Sequence, residues 1–157
     1  MAISYVHPLL LLLLASLFFL PAFGDLIDFR YCNKKGYKFG NMTRVEVSPT
    51  DPQYILIYGS TSNTSQRLLD GALDLSLVID QFRFRIMRET DLRGVLWDQW
   101  PLEPGKDFLI RVWRDKYLRF FDKYMSILTL FSDYEGSGKL KEQMCIKFKL
   151  PPPTPTT

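Results

Sequence analysis

Histidine is almost missing from this chain. His7 is the single one, and it sits in the amino-terminal apolar stretch. If that stretch is removed as a signal peptide, no histidine is left for Ser-His-Asp or Cys-His catalysis, or for a histidine-ligated zinc site. Cysteine is nearly as scarce, with only Cys32 and Cys145. If these two are joined, no thiol nucleophile and no cysteine-rich metal site remains. No internal repeat and no long amphipathic helical pattern is present. Charge of one sign is not in excess either. The formal net charge is +3, too little by itself to argue for nucleic acid.

No Lys, Arg, Asp or Glu occurs before Asp25. Leu9 to Leu20 is almost wholly apolar, and Pro21-Ala22-Phe23-Gly24 follows, with small residues at the −3 and −1 positions of a cut after Gly24. That arrangement reads as a secretory signal peptide over residues 1–24, although its positive end has only His7 and the amino terminus. A membrane anchor would need about 20 apolar residues, longer than this run. The expected organisation is a signal peptide over 1–24, one domain over 25–150 and a disordered Pro/Thr-rich tail over 151–157. The tail, Pro151-Pro152-Pro153-Thr154-Pro155-Thr156-Thr157, is polyproline-like and carries no lipid-anchor or retention signal. Secretion or vacuolar delivery is the expected destination.

An oxidising compartment gives two further features a meaning. An even cysteine count predicts a Cys32–Cys145 bridge tying the first strand to the last. Asn41-Met42-Thr43 and Asn63-Thr64-Ser65 match the glycosylation acceptor N-x-[ST], so Asn41 and Asn63 are the candidate glycan sites.

What the chain does contain is short apolar alternation and turn chemistry. Leu26 to Tyr31, Arg44 to Ser48, Tyr54 to Tyr58, Phe108 to Trp113, Tyr124 to Phe131 and Met144 to Lys149 all read as strands. The longest pattern runs from Ala72 to about Arg88. Leu75, Leu77 and Ile79 share one face of it, but Phe82, Phe84 and Ile86 fall on the opposite parity. A phase flip inside one strand suggests a β-bulge or a change of covered face. Many short strands without a long helix predict an all-β sandwich or barrel.

Few residues offer chemistry. Glu89 and Asp91 would share a strand face, but nothing specifies the paired geometry that glycoside hydrolysis needs, and a solvated strand end is the simpler reading. Gly136 and Gly138 do not make a phosphate loop. Arg83, Arg85 and Arg111 fall opposite the apolar faces of their strands. With Arg88, Arg114 and Lys116 they read as a solvated sheet face, or as a basic patch for transient contact with anionic membrane. Phe82, Phe84, Phe108, Tyr124, Phe131 and Phe148 suit either a packed core or the wall of an apolar cavity.

An ordered set of landmarks resembles the plant branch of the MD-2-related lipid-recognition, or ML, family. Asp28-Phe29-Arg30-Tyr31-Cys32-Asn33-Lys34-Lys35 is similar to that family's mature amino terminus, and Val45-Glu46-Val47-Ser48-Pro49 to its second strand. Leu77-Val78-Ile79-Asp80, Glu89-Thr90-Asp91-Leu92, Pro101-Leu102-Glu103-Pro104-Gly105 and Met144-Cys145-Ile146-Lys147-Phe148 follow in family order. The resemblance implies an immunoglobulin-like β-sandwich of two antiparallel sheets with an apolar cavity between them. It implies sterol, phospholipid or glycolipid binding with no metal or cofactor, and it pairs Cys32 with Cys145 as the outermost disulfide. The chain departs from the family where a second bridge is usual: Arg93 and Trp100 stand at those positions. Gly94 to Gln99 is therefore expected to be looser.

The leading expectation is a non-enzymatic lipid carrier or presenter for a sterol or phospholipid. Phe82, Phe84, Ile86, Phe108, Ile110, Val112, Tyr124 and Leu128 would line the cavity, with Trp97 and Trp100 at its mouth. The alternative is a protein-interaction or co-receptor module for a membrane protein, with lipid as ligand or filler. A hydrolase is the weakest reading, for want of histidine.

Overall fold

The computed structural model describes residues 24–96, 99–113, 123–133 and 139–151. Residues 1–23 of the expected signal peptide, Trp97, Arg114, Lys116, the Gly136–Gly138 turn and the tail from Pro152 lie outside the described residues. Nine elements follow in order: β1 Phe29–Tyr31, β2 Gly40–Val47, β3 Tyr54–Thr61, β4 Gly71–Ile79, β5 Phe82–Glu89, a single helical turn α1 Arg93–Leu96, β6 Asp107–Trp113, β7 Met125–Asp133 and β8 Leu140–Phe148. They form two antiparallel sheets, one ordered β1-β8-β7-β4-β5 and the other β2-β3-β6. The expected immunoglobulin-like β-sandwich is what the chain adopts.

Alternation explains which faces meet. Along β3, Ile55, Ile57, Gly59 and Thr61 are buried while Tyr54, Leu56 and Tyr58 are half-exposed. Along β6, Phe108, Ile110 and Val112 point inward. They face Leu73, Leu75 and Leu77 of β4, Leu128 and Leu130 of β7, and Met144, Ile146 and Phe148 of β8, all in one buried cluster. Period-two patterning thus supplies two apolar faces, and burying them against each other supplies most of the favourable free energy.

The single bent strand expected over Ala72–Arg88 is overturned. Asp80 and Gln81 have φ of 47° and 74° and join β4 to β5 as a two-residue hairpin. Positive φ at both central residues is the signature of a type I′ turn. The parity change between Ile79 and Phe82 is that of a chain reversing, since Ile79 pairs with Phe82 and Leu77 with Phe84. A bulge does occur further along, where the register shifts between Leu75 and Ser76 and leaves Ile86 as the extra residue on β5.

The sandwich is closed along one side. Ile27 donates its N–H to the Val45 carbonyl at 2.9 Å, and Val47 donates to the Asp25 carbonyl at 3.0 Å. Residues 25–27 thus lie along the small sheet, and the chain then crosses to pair as β1 with β8. Tyr31 pins the crossing: its hydroxyl accepts from the Met42 N–H at 2.8 Å and lies 3.2 Å from the Met42 carbonyl. The disulfide Cys32–Cys145 locks the end of β1 to β8, with Cα atoms 5.4 Å apart.

Candidate functional site

The opposite side of the sandwich is open. There β5 ends the large sheet and β6 ends the small one, and between them lies a cleft of about 410 Å³. Met87 and Glu89 line it from β5, Gly94 and Val95 from α1, and Tyr54, Arg111, Val112 and Trp113 from β3 and β6. Val112 is on the buried face of β6, and Met87 packs against the core cluster, so the inner wall of the cleft is continuous with the apolar interior. Its outer rim is polar and aromatic. The Arg111 guanidinium sits 4.0 Å above the Tyr54 ring, a cation–π contact that fixes the rim.

The turn α1 forms one wall and is held without a second disulfide. Glu89 accepts from the Asp91 N–H at 2.9 Å, and Asp91 accepts from the Arg93 N–H at 3.2 Å. Leu92 and Leu96 are fully buried. Beyond it, Thr61 Oγ1 donates to the Glu103 carbonyl at 2.6 Å and accepts from the Lys106 N–H at 2.9 Å. Leu102 pairs with Leu68. Local capping and two buried leucines thus anchor the helical turn Arg93–Leu96.

The residues expected to line a cavity divide into three groups. Phe108, Ile110, Val112 and Leu128 are buried on the two inner faces. Ile86 and Tyr124 are half-buried against the same cluster. Phe82 and Phe84 lie at the free edge and are 69% and 51% exposed. Trp100 is half-buried beside a separate depression bounded by Gln99, Pro101, Leu102 and Lys106, whereas Trp113, not singled out from the sequence as a mouth residue, borders the cleft. Met87, Gly94 and Val95 were also missed. Nothing in their local pattern marks them; only the meeting of β5 and β6 across the sandwich does. Ser126 was missed too. It is a fully buried hydroxyl on the inward row of β7, flanked by Leu77 and Phe148, and its Oγ has no hydrogen-bond partner.

The single basic patch is corrected. Arg83, Arg85 and Arg88 lie on the outward face of the large sheet, whereas Arg111 is on the outward face of the small one. Opposite parity on two strands gives opposite sides of a sandwich, not one surface. Arg88 binds both carboxylate oxygens of buried Asp74 at 2.6 Å, with Arg85 3.7 Å away.

Two half-buried tyrosines are expected to make stability pH-dependent. Burial, then the hydrogen bond donated to Glu142 at 2.7 Å, raises the Tyr37 phenol above its ordinary value. Burial and then the bond donated to Glu46 at 2.8 Å raise Tyr58 likewise. A raised phenol keeps its proton longer in the folded state. The stability it contributes is therefore complete below about pH 10 and is lost as pH rises beyond that. Urea midpoints are expected to fall above about pH 10, and less steeply in a Tyr37→Phe/Tyr58→Phe variant. Parallel slopes for the two proteins would count against this assignment.

Comparison with known proteins agrees with this geometry. No family profile matches the chain. It is 30% identical, over a 169-residue alignment, to MD-2-related lipid-recognition protein 3 of Arabidopsis thaliana, covering 99% of this chain and 97% of that protein. With a resemblance running end to end, two antiparallel sheets and a disulfide joining β1 to β8, the chain belongs to the MD-2-related lipid-recognition family.

Proposed function

We propose that this protein is a non-enzymatic carrier or presenter of a single lipid of the sterol or phospholipid class, acting in the secretory, extracellular or vacuolar space. The observation that carries the reading is the asymmetry of the sandwich: hydrogen-bonded shut at β1 and β2, parted at β5 and β6. A ligand would enter between Met87, Val95 and Val112 and reach toward Phe108, Ile110 and Leu128, with Ile86 and Tyr124 beside it. The cleft volume falls within the range of small-molecule sites, roughly 300–1,000 Å³. Affinity would come from apolar burial at about 25 cal/mol per Å², less the cost of ordering the ligand. Glycans on Asn41 and Asn63, both exposed, fit the same route through the cell.

Native mass spectrometry of the secreted, deglycosylated protein, with extraction of bound molecules, tests this directly. A stoichiometric lipid-sized adduct supports the carrier. A clean mass with no uptake from a mixed lipid panel would shift the function to a protein-interaction module. Gly94 offers a sharper probe. Gly94 borders the cleft and a Cβ added there meets nothing within 4 Å, so Gly94→Trp can be accommodated at the cleft's edge. Lipid uptake is expected to fall at least about tenfold with the melting temperature unchanged. Full uptake by that variant would mean that ligands do not enter here.

A further inference from the structure

We propose that the free edge of the large sheet, β5 with the turn before it, docks this protein onto the surface of an anionic lipid bilayer. Phe82 and Phe84 are mostly exposed, and their rings lie 6.5 Å apart at 57° to one another. Single exposed apolar residues are ordinary, but two adjacent phenylalanines on a sheet edge form a patch that gains by leaving water.

Charge argues for the occupant. The same alternation that turns Phe82 and Phe84 one way turns Arg83, Arg85 and Arg88 the other. These arginines stand opposite Val78, Ser76 and Asp74. The row through Ser76 continues across Ile127 to Lys147 and Arg30. At the edge itself the outward row of β5 thus bears three cations opposite the one carboxylate of Asp74. Arg88 occupies both oxygens of that carboxylate, and Arg83 reaches only the neutral hydroxyl of Thr129, at 2.8 Å. The surplus is positive although Asp80 sits in the turn. Phenylalanine rings suit the interfacial region of a bilayer, and guanidinium groups suit its phosphates. A second copy pairing through β5 would set the two arginine rows against each other, which disfavours self-association. The docking edge also carries Met87 and Glu89 of the cleft, so a docked molecule would bring its opening close to the membrane. The inference itself holds whether or not the interior carries lipid.

Co-sedimentation of the full chain with vesicles tests it, using equal parts phosphatidylcholine and phosphatidylserine, or phosphatidylcholine alone. The protein is expected to bind the anionic vesicles at least about tenfold more tightly, less so in high salt. Phe82→Ser/Phe84→Ser should weaken binding to both compositions by about tenfold or more. Arg83→Gln/Arg85→Gln should weaken only the anionic case, by about fivefold per charge. The substituted side chains are exposed, so all three proteins should stay folded, the arginine variant melting a few degrees lower for loss of the Arg83–Thr129 and Arg85–Asp74 contacts.

Equal vesicle binding by the three proteins would overturn the proposal. So would concentration-dependent dimerisation abolished by the Phe82/Phe84 change, which would assign the edge to a second copy. The bound-lipid content of the same samples separates this inference from the carrier reading. Loss of bound lipid in the Phe82/Phe84 variant with vesicle affinity intact would place the pair in the ligand site and sink the docking role. Vesicle binding by a protein that never carries lipid would leave docking standing and the carrier reading refuted.

Discussion

Replacing Cys32 and Cys145 together by serine is expected to lower the stability of this protein by about 5 kcal/mol in the chain-entropy model. The bridge closes a separation of 113 residues, and these are the only two cysteines in the chain. No second bridge shares the constraint, because the chain has no further cysteine. Single domains are stable by only about 5–15 kcal/mol, so the variant is expected to be marginal at physiological temperature. Serine is a fair isostere here. Cys145 is buried, with its sulfur 3.5 Å from the Thr129 hydroxyl, and a serine oxygen could still receive that contact. Urea unfolding of the oxidised protein and the double variant measures the difference. A loss below about 2 kcal/mol would mean that the unbridged unfolded chain is already compact.

The second large effect separates residues that look alike in the sequence. Phe108→Ala is expected to cost about 3–5 kcal/mol, whereas Phe84→Ala should cost less than about 1 kcal/mol. Phe108 is 2% exposed and lies opposite Gly59 on β3. A Cβ on Gly59 would come 2.5 Å from the tip of the Phe108 ring, so the aromatic ring is seated in the space that glycine leaves. Truncation would leave a cavity with little means of collapse. Phe84 is half in water and loses little by truncation. Chemical denaturation of both variants settles the contrast. Comparable costs would mean that Phe84 is covered in solution by something that also stabilises the fold.

Much of the architecture was legible from alternation alone. Ile55 and Ile57 in β3, Phe108, Ile110 and Val112 in β6, and Met144, Ile146 and Phe148 in β8 announce strand, face and core together. The hairpin at Asp80-Gln81 was not legible, because the favoured type I′ turn carries Asn-Gly or Asp-Gly and this one has no glycine. A reversal without glycine looks like one strand changing phase. The basic residues were misjudged for a related reason. Parity places Arg83 and Arg111 on outward faces, but only topology says that those faces belong to opposite sheets. The cleft was the least legible feature. Met87, Gly94, Val95 and Trp113 come from three elements, and none is unusual in its own segment.

The first strand has a consequence for how the chain is made. Residues 25–27 find their partner early, since β2 follows within twenty residues. The partner of β1 is β8, the last strand of the fold. At roughly 5–20 residues per second, synthesis leaves β1 and the Cys32 thiol waiting on the order of ten seconds for the strand that completes them. Throughout that interval the large sheet has an unpaired β1 and an unspent thiol. With one other cysteine in the chain, no wrong intramolecular bridge can form. The hazard falls instead between neighbouring nascent chains, where two Cys32 thiols can meet before either Cys145 has been made.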